Sequence, residues 1–220
     1  MKVLITGASR GIGRAIADLL KSKGHIVITP GRSELDLSSM ESIQKYIKVL
    51  ENDYDILINN AGINKIAKLP DVDDENISTT FQINFTAPLL LSKHLITTSF
   101  LPRKFGRILN IGTVWLKSPR TGRTTYTASK AALESFTKSL ALEFGDDNIL
   151  TNMISPGIVG TELTTQNNSP EAIFDLVKNT SIKRLIGVDE IAKMAEVLVI
   201  GNDCINGQNF FIDGGFKGSF

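Results

Sequence analysis

Short apolar runs rich in valine and isoleucine alternate along this chain with longer segments in which apolar residues recur at helical spacing. KVLIT (2–6), HIVIT (25–29), DILIN (55–59), RILNI (107–111), ILTNMI (149–154) and QNFFI (208–212) read as strands, several of them apolar on both faces. Residues 12–23, 39–51, 84–100, 125–144 and 189–200 read as helices, with further helical pieces near 73–82 and 170–179. Two-sided apolar strands alternating with helices define a parallel sheet covered on both faces. The stretch from the second strand to the next helix is too short for a helical crossover, which takes a dozen or more residues. The pattern predicts an α/β, doubly wound parallel sheet of about six main strands in the order 2-1-3-4-5-6, shortened between strand 2 and the following helix. Strand 2 lies at the edge, and residues 33–36 form at most an extended stub. No repeat, low-complexity tract or polar linker interrupts the alternation, so 1–220 reads as one domain.

Composition removes several classes of function. Apolar residues make up 42% of 220, ample for one continuous core. Lys and Arg number 24 against 23 Asp and Glu, so bulk charge points to neither nucleic acid nor an anionic membrane. The one cysteine, Cys204, excludes an internal disulfide, fits a reducing compartment, and is expected to be a small buried apolar side chain. His25 and His94 lie far apart without cysteine or carboxylate company, and no metal is expected. MKVLITG runs straight into a strand and a glycine turn without a cleavage-site pattern, and no apolar run reaches the ~18 residues of a membrane span. The expected location is the cytoplasm.

Chemistry enters at TGASRGIG (6–13), which follows the first strand and opens a helix at Ile12. Gly7, Gly11 and Gly13 permit a tight turn and close approach of backbone amides to a ligand. The helix N-terminus adds partial positive charge where a pyrophosphate would sit. Placed after strand 1 in this alternation, the turn makes the sheet a Rossmann-type dinucleotide fold. Where NAD sites put an acid at the end of strand 2, this chain reads TPGRS (29–33), with Gly31 at that place and Arg32 after it. Arg10, inside the glycine turn, points toward the same spot. Two guanidiniums without a carboxylate favour a 2′-phosphate, hence NADP(H) over NAD(H), although Glu34 lies close by.

In YTASK (126–130), Tyr126 and Lys130 share a helix face at i, i+4 spacing. The order TGASRGIG, NNAG (59–62), Asn84 in FQINFTAP, YTASK, Pro156-Gly157 followed by Thr161, and FIDGG (211–215) resembles the short-chain dehydrogenase/reductase family over essentially the whole chain. It is similar to the NADPH-dependent 3-oxoacyl-acyl-carrier-protein reductases and related carbonyl reductases. The resemblance implies that Tyr126 donates the proton to a carbonyl receiving hydride, and that Lys130 tunes it and holds the nicotinamide ribose. It implies that Asn84 carries a water in a relay to Lys130. Asn60, Ala61 and Gly62 would line the adenosine and ribose, with Asp36 and Leu37 beside the adenine. Ile158 and Thr161 would contact the carboxamide and pyrophosphate, and Ser9 and Thr6 would serve as hydroxyls of the turn.

One position departs from the family pattern, which has a serine 13 residues before the tyrosine. Here that place holds Thr113, which keeps the hydroxyl but adds a methyl and stiffens χ1. The resemblance also places a substrate lid at about 161–185, with Leu163, Ile173, Phe174 and Leu176 shaping the pocket beside Trp115 and Leu116. It places a homodimer or homotetramer contact on the helices carrying TAPLLLSKHL and YTASK. Arg103, Lys104 and Arg107 read as a solvated basic end before the fourth strand.

Overall fold

The computed structural model describes residues 1–217. The six apolar runs form one sheet: β1 (Lys2–Ile5), β2 (Ile26–Ile28), β3 (Ile56–Asn59), β4 (Gly106–Ile111), β5 (Ile149–Pro156) and β6 (Asn209–Ile212). Their order is β2-β1-β3-β4-β5-β6, with every pairing parallel, as the pattern predicts. Every residue of β3, β4 and β5 is buried, whereas the edge strands β2 and β6 are only half-buried. Central parallel strands carry helices on both faces, which is why they read as unbroken apolar runs.

Nine helices run α1 (Gly11–Ser22), α2 (Met40–Val49), α3 (Asp74–Phe81), α4 (Ala87–Leu95), α5 (Leu101–Arg103), α6 (Thr124–Phe144), α7 (Glu162–Gln166), α8 (Pro170–Lys178) and α9 (Val188–Val199) among the described residues. The two-residue period of the strands divides the core into two layers. Val3, Ile5, Ile58 and Ile154 face α1 and α9 through Ile16, Leu20, Ile191 and Leu198. Leu4, Leu57, Ile108 and Ile149 face the opposite layer through Ile43, Leu91, Leu95 and Leu140.

Three expectations are revised and one is narrowed. Residues 33–36 form no strand: the Gly31 carbonyl accepts from the N–H groups of Glu34 (3.0 Å) and Leu35 (2.9 Å), closing a turn that consumes these backbone groups locally. The helices expected near 73–82 and at 84–100 are one helical run from Asp74 to Arg103, widened by π-helical turns at Gln82–Thr86 and Ile96–Phe100. Pro88 and Pro102 each follow a wide turn by two residues. A proline ring crowds the carbonyl four residues earlier and offers it no N–H, so the preceding turn opens. For Pro88 that carbonyl belongs to Asn84. Cys204 is exposed, because it lies in a loop shaped by the Asn202 side chain, which accepts from the Cys204 and Ile205 N–H groups. Arg107 lies within β4 and is 3% exposed, donating to the carbonyls of Asn202 (3.0 Å) and Asn148 (2.9 Å). Burial holds its pKa below the usual guanidinium range, so it is a buried tie and not a solvated end.

Candidate active site

The glycine turn and the NNAG segment lock together through backbone groups. Gly7 adopts φ +67°, and a Cβ there would sit 2.7 Å from the Cα of Ala61. Only glycine satisfies both the left-handed backbone and the close approach. The Asn60 side chain donates to the carbonyls of Thr6 (3.0 Å) and Gly7 (2.8 Å). In return, the Thr6 hydroxyl accepts from the N–H groups of Asn60 and Ala61, each at 3.2 Å. Thr6 is thus a structural hydroxyl. Helix α1 opens at Gly11 with Arg10 at its N-cap and no capping side chain, leaving first-turn N–H groups for an anion.

Above this turn opens a cleft of roughly 830 Å³. Gly7, Ser9, Arg10, Gly11, Ile12, Arg32, Asp36, Leu37, Asn60, Ala61 and Gly62 line one arm of it. Gly13 does not line it, being buried under the turn against Asn60 and Gly7. Arg10 pairs with Glu162 on α7. Arg32 is paired with Asp36 at 3.3 Å and its side chain is 83% exposed. The Asp36 carboxylate is held below its ordinary pKa chiefly by the Ser38 hydroxyl and N–H, with Arg32 a smaller contributor. Glu34 accepts from the Gly31 N–H at 2.8 Å.

The other arm is built by the ends of β4 and β5 and the start of α6. Thr113 lies two residues past β4, where its hydroxyl accepts from the Trp115 N–H at 3.3 Å. Accepting that bond leaves the hydroxyl proton free to donate. Tyr126 is 9% exposed; burial raises its pKa, and the Thr113 hydroxyl and the Arg123 charge oppose the rise. Lys130 is 3% exposed and donates to the Ile111 carbonyl at 2.7 Å, while burial lowers its pKa to about 8. The opposing pull on the phenol is therefore traced to Thr113 and Arg123, with the expected tuner anchored on β4.

Asn84, fully buried in the first π-helical turn, donates to the Ile63 carbonyl and the Ser129 hydroxyl, both at 3.0 Å. Its Oδ1 accepts from the Ile63 N–H at 2.9 Å. A Cβ on Gly62 would lie 3.3 Å from this Oδ1 and 3.4 Å from the Lys130 Nζ, so both groups converge on the end of the NNAG segment.

Pro156, the last residue of β5, and Gly157, Ile158 and Thr161 beyond it line the cleft, and Thr161 caps α7. Val114, Trp115, Tyr126, Ile158, Leu176 and Phe216 form a small apolar cluster at the tyrosine, with Trp115 edge-on to Phe216 at 5.8 Å. Leu163 and Leu176 line the cleft, whereas Ile173 and Phe174 do not, and Phe174 is 68% exposed. Sequence reasoning missed Ser129 and Ile63, which hold Asn84, and Arg123, which lines the cleft. Only the position of Arg123, three residues before Tyr126, offered a signal.

Comparison with known proteins defines the class. A family model described as "Enoyl-(Acyl carrier protein) reductase" matches residues 30–217. A 3-oxoacyl-(acyl-carrier-protein) reductase FabG of Haemophilus influenzae is 35% identical over 235 residues, covering 96% of each chain. Among solved structures, a 4-hydroxyisoleucine dehydrogenase complexed with NADH aligns with TM-score 0.90 at 31% identity, covering 97% of each chain. A short-chain dehydrogenase of Burkholderia cenocepacia J2315 in complex with NADP aligns with TM-score 0.84 at 26% identity, covering 97% of this chain and 96% of that one. The chain belongs to the short-chain dehydrogenase/reductase family, a class of NAD(P)-dependent oxidoreductases acting on CH–OH and C=O groups.

Proposed function

We propose that this protein is an NADPH-dependent carbonyl reductase acting on a ketone of 3-oxoacyl type or another small ketone. The observation that carries the reading is the convergence of Thr113, Tyr126 and Lys130 in the cleft that the glycine turn opens, with Asn84 buried behind them. The uncapped start of α1 and the close approach allowed by Gly7 fit a pyrophosphate. Arg10 and Arg32 fit a 2′-phosphate: the exposed Arg32–Asp36 pair is of a kind worth at most ~1 kcal/mol, which a dianion displaces. The FabG relative and the NADP-bound neighbour point the same way. Bound NADPH supplies hydride to the carbonyl carbon.

Reduction builds negative charge on the carbonyl oxygen, which needs donors already in place. The free proton of Thr113 polarises that oxygen. Burial keeps Tyr126 a neutral phenol, able to deliver its proton as the alkoxide forms. Lys130, with its depressed pKa, returns a proton to the phenolate. Pro88 gives no N–H to the Asn84 carbonyl, so that carbonyl is available to a relay water behind Lys130. Residues 161–185 act as a lid on one domain, and α4 with α6, where Leu142 is 87% exposed, forms the face of a homodimer or homotetramer. Among the described residues, no helix is long and apolar enough to cross a membrane.

The test is NADPH oxidation with 3-oxobutanoyl thioester, simple ketones and crotonyl thioester. Turnover of ketones alone supports the reading. Turnover of only the C=C substrate would replace it with the chemistry in the family model's description.

A further inference from the structure

Among the described residues, Arg123 is a charge without a counter-charge. It is 3% exposed, lines the cleft and lies three residues before Tyr126. Burial holds its pKa down first, and the like charge of Arg120 lowers it further. Both guanidiniums stack on one indole, Arg123 at 5.3 Å and Arg120 at 5.7 Å from the Trp115 ring centre. Both also donate to the same neutral atom, the Asn168 Oδ1 between α7 and α8, at 3.4 Å and 2.9 Å. Among the described residues, the buried Arg123 Nε has no partner, and neither has the buried Asn167 Nδ2, which also lines the cleft. Among the described residues, no carboxylate pairs with Arg123 or Arg120.

Removing an unpaired charge from water costs several kcal/mol. Two like charges sharing one amide oxygen add to that cost. An anion placed against Arg123 and Arg120 reverses both terms and takes up the idle Nε and Asn167 donors. A planar carboxylate matches the guanidinium fork. The 21-residue helix α6, with Arg123 at its N-cap, adds partial positive charge at the same spot. This anion lies close to the phenol, because Arg123 and Tyr126 both line the cleft and stand three residues apart at the start of α6.

We propose that Arg123, with Arg120, Asn167 and Asn168, forms a carboxylate subsite, and that the preferred substrate is an oxo acid whose free carboxylate lies within a few atoms of the reacting ketone. The proposal rests on reading the cleft as a carbonyl-reductase site. It deepens that reading by naming the substrate class.

Trp115 is the single tryptophan, so its fluorescence reports on the ring beneath both guanidiniums. The full chain loaded with NADP⁺, which cannot reduce a ketone, is titrated with 3-oxobutanoate and with its methyl ester. The acid is expected to give a saturable change and the ester to bind at least ~30-fold more weakly, the scale of a charge-assisted hydrogen bond. Arg123→Gln is expected to erase the acid's advantage, and Arg123→Lys to keep part of it, showing that the charge and not mere folding is at stake. With NADPH, the acid-to-ester ratio of kcat/KM is expected to fall ~30-fold in Arg123→Gln. Equal binding of acid and ester by the native chain overturns the proposal, as does an acid preference that survives Arg123→Gln. Equal losses for both substrates, with a shifted pH profile, would assign Arg123 to Tyr126 and also overturn it. An Arg123-dependent acid response without turnover of any ketone would leave the subsite standing and remove the carbonyl-reductase reading instead.

Discussion

The two arms of the cleft are made of different material. The arm proposed to hold the nucleotide is largely backbone: glycine-turn amides and the NNAG segment, stapled by Thr6 and Asn60. The arm proposed to hold the substrate is largely side chain: Thr113, Trp115, Arg123, Tyr126 and Leu176, carried on a loop, a helix start and the proposed lid segment. Backbone recognition serves any dinucleotide and tolerates little change, because it depends on φ angles and sub-3 Å approaches. Side-chain recognition allows the substrate to change while the fold stays. Perturbations of the first arm's backbone should therefore disable binding outright, and those of side chains in either arm should act on chemistry or selectivity.

The largest effect is expected at Gly7. Gly7→Val forces a β-branched residue into φ +67° and against Ala61. Nucleotide affinity measured by calorimetry is expected to fall ~1000-fold, with a stability loss of about 3 kcal/mol. Unchanged affinity would break the contrast between the arms.

Lys130 comes next and carries a sign. Its pKa of about 8 lies below the ordinary 10.5 because its charge is buried. Folding therefore disfavours the charged form. The cost is full below pH 8 and is relieved as pH rises from 8 toward 10.5, where the unfolded chain binds more protons than the folded one. Lys130→Met is expected to lower kcat ~100-fold. The same change is expected to stabilise the nucleotide-free protein at pH 7 by on the order of 1 kcal/mol once the lost bond to Ile111 is counted. That gain should shrink across pH 8 to 10.5, as thermal melts will read.

Thr113→Ala removes the free hydroxyl proton and is expected to lower kcat ~30-fold with nucleotide affinity within about twofold. The smallest effect is expected at the adenosine end. Arg32→Asp is expected to move the NADPH-to-NADH ratio of kcat/KM ~10-fold toward NADH, since the guanidinium is exposed and screened.

The same contrast explains what the sequence could announce. The sheet order followed from apolar runs and from one gap too short for a crossover. The glycine turn, Tyr126 and Lys130 were legible because their chemistry lies in local spacing. Cys204 was misread although its loop is local, closed by Asn202 two residues before it; Arg107 was misread because its ties come from distant chain, Asn202 being 95 residues away. Arg123 passed unnoticed for the same reason, since Trp115, Asn168 and the burial that isolates its charge assemble only in the fold. The fused helix was written locally in NFTAP, where Pro88 disturbs Asn84, but helical period alone does not reveal a π-helical turn.

The most direct measurement of the central claim, that Tyr126 acts on chemistry and not on nucleotide binding, is a paired reading of Tyr126→Phe. NADPH affinity is taken by calorimetry and hydride transfer by single-turnover loss of NADPH absorbance with saturating ketone. We predict affinity within about threefold of the native protein and hydride transfer slowed ~1000-fold, the middle of the range for a lost general acid. Hydride transfer at the native rate in Tyr126→Phe would contradict the account.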